Sequence, residues 1–164
     1  MSAGAYVLVK FDNREKLPAA LEALSGSKDI ARWDAVDGHY NLVLRLTDNR
    51  KSVEDKIRKM EGFSGLSSCE LQTGGEEDVP LSTEYCYSYV FIEAERFKQK
   101  AVQTALAKNE AVVFCSPVSG GCDLIALVRG ESFDIIDRTV NDFIRPLDGV
   151  LRLKQERVIL LDRM

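Results

Sequence analysis

Asp34–Leu46 reads DAVDGHYNLVLRL, and Ser116–Val128 reads SPVSGGCDLIALV. Aligned on each other, Gly38 falls on Gly120, Asn41 on Asp123 and Leu42 on Leu124. Each stretch reads as a strand, a tight glycine-containing turn and an apolar returning strand. The offset of 82 residues is too long for a solenoid repeat and indicates a duplicated domain.

The elements around these hairpins recur in the same order. Ala5–Phe11 (AYVLVKF) is a strand. Arg14–Leu24 carries Leu17, Ala20, Leu21 and Leu24 at helical spacing, with Asp12 or Asn13 as cap and Pro18 in the first turn. Ile30–Val36 alternates, setting Ala31, Trp33 and Ala35 opposite Arg32 and Asp34, and Tyr40–Leu46 returns. Ser52–Asp55 resembles a capping box that opens a helix with Val53, Ile57 and Met60 inward. Gly62 ends that helix, and Leu66–Leu71 is the last strand of the half. The second half repeats the scheme with a strand at Tyr85–Ile92 and a helix at Glu95–Lys108, whose inward residues are Phe97, Ala101, Val102, Ala105 and Leu106. Strands at Ala111–Val118 and Asp123–Val128 follow. A helix over Ser132–Ile144, stopped by Pro146 and Gly149, leads to a strand from Val150 to Leu161. Residues 1–73 and 85–164 are thus read as βαββαβ repeats, joined by a Gly-rich, acidic linker over 74–84.

In a βαββαβ unit both helices cover one face of the sheet, so the other face should be polar if it meets water. Several strands are instead apolar on both sides. Tyr85, Tyr87, Tyr89 and Phe91 lie on one face of their strand, and Cys86, Val90 and Ile92 on the other. Such strands are covered on both faces. The fold class is therefore α+β: two ferredoxin-like repeats with sheets packed face to face as a dimeric α/β-barrel, formed within one chain or between copies.

Charge bounds the function. The chain has 22 Lys and Arg against 26 Asp and Glu, a formal net charge of -4. Nucleic-acid binders present a basic face for phosphate contacts, and no Lys/Arg-rich run occurs here. Direct DNA binding is disfavoured. No apolar stretch approaches the ~20 residues of a membrane helix, and residues 1–5 carry no signal-peptide pattern, so a cytoplasmic location with no membrane partner is expected. Cys69, Cys86, Cys115 and Cys122 form no CxxC pair and are read as small buried hydrophobes in a reducing compartment.

The strand AYVLVKF, the turns Gly38–Leu44 and Gly120–Ala126, and the element Pro146–Val150 (PLDGV) resemble the effector-binding (RAM) domain of the Lrp/AsnC transcriptional regulators, twice over. The resemblance implies a dimeric α/β-barrel that assembles further. It also implies small effectors, commonly amino acids, bound near a Gly-x-x-Asp turn. This chain departs from the family in having no helix-turn-helix ahead of a first strand that begins by residue 5. Asn41 replaces the turn Asp in the first repeat, and Gly121 and Cys122 replace bulkier residues in the second.

The candidate ligand-binding residues are Gly38, His39, Tyr40, Asn41, Gly120, Gly121 and Asp123. Exposed turn amides can hold a carboxylate, and Asp123 can pair with an ammonium, so the second turn is expected to carry the stronger site. His39, the only histidine, lacks partners at zinc-binding spacing. No metal, cofactor or catalytic residue is expected, since no nucleotide-binding, nucleophile-elbow or zinc-protease motif occurs. The leading reading is a stand-alone module that senses an amino-acid-like small molecule and is not an enzyme. It would self-associate and have a regulatory protein as a further partner. The alternatives are an interaction or assembly module without a ligand of its own, and a dimeric α/β-barrel enzyme.

Overall fold

A computed structural model describes residues 4–72 and 81–159. The first half contains β1 (Ala5–Phe11), α1 (Leu17–Leu24), β2 (Ile30–Asp37), β3 (Leu42–Leu46), α2 (Arg50–Arg58) and β4 (Phe63–Leu71). The second contains β5 (Cys86–Ala94), α3 (Gln99–Ala107), β6 (Val112–Gly120), β7 (Leu124–Gly130), α4 (Phe133–Thr139) and β8 (Val150–Ile159). Most of the 74–84 linker lies outside the described residues.

The strands form a closed barrel in the order β1-β3-β2-β8-β5-β7-β6-β4. Within each half the antiparallel order is that of a ferredoxin-like sheet, and the halves join edge to edge at two seams. Ala35, Val36 and Asp37 of β2 pair with Ile159, Val158 and Arg157 of β8. Cys69, Glu70 and Leu71 of β4 pair with Gly120, Ser119 and Val118 of β6. The α/β-barrel expected from the sequence is thus built inside one chain. Its two sheets are one continuous ring rather than separate layers, and closure removes the unpaired edges that two open sheets would leave.

Three apolar cores follow from the strands' period of two. Tyr6, Leu8, Val43, Tyr89, Phe91, Ile125 and Leu127 fill the barrel. Val7, Val9, Leu42 and Leu44 point outward and lie beneath α1 and α2 with Leu17, Leu24 and Ile57. Val90, Ile92, Leu124 and Ala126 do the same beneath Val102, Leu106, Ile136 and Val140. This two-sided burial is what the doubly apolar strands required.

Local differences from the sequence reading have local causes. Asn13, not Asp12, caps the first helical segment, accepting the Glu15 amide at 2.9 Å. The second helix begins at Arg50, behind Asn49 in the left-handed region at φ 53°, so Ser52–Asp55 lies inside the helix and caps nothing. Asn tolerates that conformation better than most residues. Phe97, expected inward, is 95% exposed because α3 starts only at Gln99 and leaves it outside the helical periodicity. On β2 the polar side faces the barrel: Tyr89 Oη donates to Asp34 Oδ2 at 2.5 Å, and Trp33 is partly exposed.

Candidate functional site

The two hairpin turns are tied down by matching bonds. Asn41 N donates to Val9 O and Asn41 Oδ1 accepts from Phe11 N at 2.7 Å. Asp123 N donates to Ile92 O and Asp123 Oδ2 accepts from Ala94 N at 2.9 Å. Both side chains therefore clamp a turn to the strand beside it. Asp123, expected from the sequence to pair with a ligand's ammonium, thus spends Oδ2 on a backbone donor in this structure. Asn41→Ala and Asp123→Ala should each lose about 1–3 kcal/mol, the cost of stranding a buried amide. Asp123→Asn should lose much less, because Asn41 does the same job in the first half. Urea unfolding of the three variants checks this.

The amides that follow each turn glycine face different acceptors. His39 N and Tyr40 N donate to Glu156 Oε1 at 3.1 and 3.3 Å, across 117 and 116 residues of chain. Gly38 makes room for that carboxylate, since a Cβ there would lie 1.9 Å from Glu156 Oε2. At the second turn the amides of Gly121 and Cys122 act on the Cys69 sulfur. The seams bring this about: Val36 pairs with Val158 two residues from Glu156, and Val118 pairs with Leu71 two residues from Cys69. The first turn is thus occupied by the chain's own carboxylate, while the second faces a shorter thiol.

Burial lifts the Glu156 carboxyl to about 7, against the opposing pull of the Tyr40 and His39 amides. An unfolded Glu titrates near 4.3. The folded state therefore holds this proton more tightly, and the resulting stabilisation is full below about pH 4.3 and lost as pH rises through about 7. The effect is on the order of 3–4 kcal/mol. Glu156→Gln keeps an acceptor for both amides and should flatten this part of the pH–stability curve. Denaturant titrations at intervals from pH 4.5 to 8 read the difference.

Beside the second turn lies a cavity of about 230 Å³. Cys69, Gly121 and Cys122 form one wall, with Ser67 next to them, and Leu8, Tyr40, Phe91 and Leu153 give it apolar sides. Glu93, Arg152 and Lys154 complete the lining. Arg152 Nε lies 2.5 Å from Glu93 Oε2, and both groups are open to solvent. Lys154 is exposed and its charge reaches Glu156, whose proton it weakens. The cavity therefore offers two cations, one carboxylate and a polar turn within an otherwise apolar hollow.

Of the sequence candidates, Tyr40 and Gly121 line the cavity, whereas Gly38 and His39 serve the Glu156 seat. His39 is exposed, its ring edge-on to Tyr40 at 4.8 Å. Gly120 turns the chain at φ 115°, and a Cβ there would lie 2.9 Å from Ser68 O. Sequence reasoning missed Cys69, Cys122, Glu93, Arg152, Lys154 and Glu156. The available signal was the even-numbered run Arg152, Lys154, Glu156, Val158, which a period of two puts on one face of β8. Among the described residues no group of three or more His, Cys, Asp or Glu is placed to hold a metal, and no helix is long and apolar enough to cross a membrane.

No curated protein matches the chain. Solved structures do. TTHA0845 from Thermus thermophilus is 28% identical with a TM-score of 0.44, over 46% of this chain and 94% of that one. The siroheme decarboxylase NirDL superposes at a TM-score of 0.78 with 10% identity, over 96% of this chain and 71% of its own. Chlorite dismutase from Candidatus Nitrospira defluvii superposes at 0.56 with 11% identity, over 98% and 92%. These whole-chain neighbours share the ferredoxin-like α/β-barrel, and they overturn the expectation that the chain is not an enzyme, because the complete two-part barrel is an architecture that enzymes use. At such identities the likeness is one of fold. The sequence itself carries a narrower assignment: over residues 88–159, the second half of the barrel, the chain matches the Lrp/AsnC ligand binding domain.

Proposed function

We propose that this chain is a ligand-binding module related to the Lrp/AsnC regulators, and that its cavity takes a zwitterionic metabolite of amino-acid size. One observation carries the reading. The first turn's amides are capped by Glu156, whereas the second turn's amides meet a thiol beside an open hollow. A ligand carboxylate placed there would be to Gly121 and Cys122 what Glu156 is to His39 and Tyr40. Lys154 and Arg152 would add charge-assisted bonds to the carboxylate, and Glu93 would receive the ammonium. At about 30 Å³ per water-sized group, 230 Å³ holds roughly eight such groups. That suits an amino acid and is several times too small for the macrocycle handled by the siroheme decarboxylase.

The same reading treats residues 1–73 and 85–164 as tandem repeats, supported by the matching clamps at Asn41 and Asp123. Self-association and a regulatory protein partner belong to it as well. The acidic charge keeps duplex DNA outside it. A second reading, favoured by the enzymes among the whole-chain neighbours, has the bound metabolite chemically altered.

A thermal-shift screen with the twenty amino acids and their oxo-acid counterparts tests the proposal. A ligand at 100 times its Kd adds about 2.7 kcal/mol, roughly 5–10 °C for a chain of this size. Oxo-acids lack the ammonium and should shift the transition less. No shift with any of them contradicts the reading. Recovery of an altered compound from a stabilising mixture selects the second reading.

A further inference from the structure

Two thiols outside any predicted role sit together in the cavity wall. Cys69 lies on β4 and Cys122 just past β6, 53 residues apart in sequence, yet their sulfurs are 3.6 Å apart. Both are almost wholly buried from bulk solvent, and both line the hollow beside the second turn. The two sulfurs are within hydrogen-bond reach, either able to donate, and Cys122 Sγ also lies 3.6 Å from Leu124 O. We propose that Cys69 and Cys122 form a peroxide-oxidisable dithiol, with Cys69 as the attacking sulfur and Cys122 as the resolving one.

The geometry assigns the order of events. The hydrogen bond shared with Cys122, together with the amides of Gly121 and Cys122, holds Cys69 below the ordinary thiol range against the cost of burial. Cys122 is pushed the other way, first by that same bond and then by burial. A thiolate is the reactive form, and oxidation follows thiolate character and access. The Cys69 thiolate attacks one oxygen of hydrogen peroxide. The O–O bond breaks, hydroxide leaves and takes a proton, and Cys69 becomes a sulfenic acid. The Cys122 thiol then gives up its proton and attacks the Cys69 sulfur, and the S–O bond breaks to release water. In balance, two thiols and one peroxide give one disulfide and two waters. Closing the sulfurs from 3.6 Å to the ~2.05 Å of the bond moves a turn that carries no side chain at Gly120 or Gly121.

The cavity sets the reactant class. Space for roughly eight water-sized groups admits hydrogen peroxide and excludes a tripeptide disulfide. The other thiols are poor competitors for different reasons. Burial pushes Cys115 up to about 12, and Cys86 is separate from the pair on the first strand of the second half.

The test uses the full chain and needs no metabolite, so its failure leaves the ligand reading standing. Reduced protein is treated with one equivalent of hydrogen peroxide, or with glutathione disulfide. Thiols are then counted after denaturation, and the bridge is located by peptide mass. Peroxide should lower the count from four thiols to two, with residues 69 and 122 linked and dithiothreitol restoring all four. Glutathione disulfide should act at least tenfold more slowly. Cys122→Ser should stop at a dimedone-reactive sulfenic acid on Cys69, and Cys69→Ser should resist peroxide at this site. Four surviving thiols, a bridge through Cys86 or Cys115, or stable over-oxidation of wild-type Cys69 without a bridge would each overturn the proposal. Mapping of the wild-type chain decides it even where a variant fails to fold.

Discussion

Replacing Gly38 by alanine should cost this protein about 2–4 kcal/mol, although the residue is exposed and the change adds one methyl group. The added Cβ would lie 1.9 Å from Glu156 Oε2 and 2.7 Å from its Cδ. Glu156 is fully buried, so its carboxylate has no solvent to retreat into. Moving it breaks the bonds from His39 N and Tyr40 N, each charge-assisted when the group is ionised, and strands their donors. The loss amounts to roughly 5–15 °C in Tm for a chain of this length. A double-mutant cycle isolates the cause. In the Glu156→Ala background, Gly38→Ala should cost well under half as much. An equal cost in both backgrounds would mean that the backbone, not the carboxylate seat, requires glycine there.

Lys154→Glu should weaken binding of the best-stabilising amino acid about ten- to hundredfold or more. It removes one charge-assisted bond of about 1.5–3 kcal/mol and sets a like charge against the ligand carboxylate. Asp123→Asn should leave Kd within about threefold, because the clamp that residue 123 forms works equally well with an amide, as Asn41 demonstrates. Isothermal titration of both variants distinguishes a site built on β8 and the second turn from one built on the turn aspartate. A large loss at Asp123→Asn together with none at Lys154→Glu would reverse the assignment.

The contrast between those variants marks how far the sequence could be read. The fold was legible because its evidence is local and repeated. Two hairpins align over thirteen residues, helices show their spacing, and strands apolar on both faces demand cover. The turn residues were identifiable for the same reason, but not their work. That Asp123 holds the Ala94 amide depends on where β5 ends, which no local pattern states. The cavity itself was hidden. Arg152, Lys154 and Glu156 alternate along a strand as they would on a solvated face, and only the seam with β2 brings Glu156 against the first turn. Cys69 and Cys122 meet for the corresponding reason at the seam between β4 and β6. Long-range pairing decided these contacts, and each half alone contains only one side of them. Phe97 failed differently: its spacing fitted a helix that begins two residues later.

The central claim is that the two turns, alike in backbone, face different acceptors, Glu156 at the first and the Cys69 sulfur at the second, and that only at the second does a ligand carboxylate take the acceptor's place. Backbone amide NMR read residue by residue tests it most directly. On titration with the best-stabilising amino acid, the amides of Gly121 and Cys122 should shift strongly and saturate at one equivalent. The amides of His39 and Tyr40, held by Glu156, should remain nearly still. Movement confined to His39 and Tyr40, or equal movement at both turns, would contradict the account.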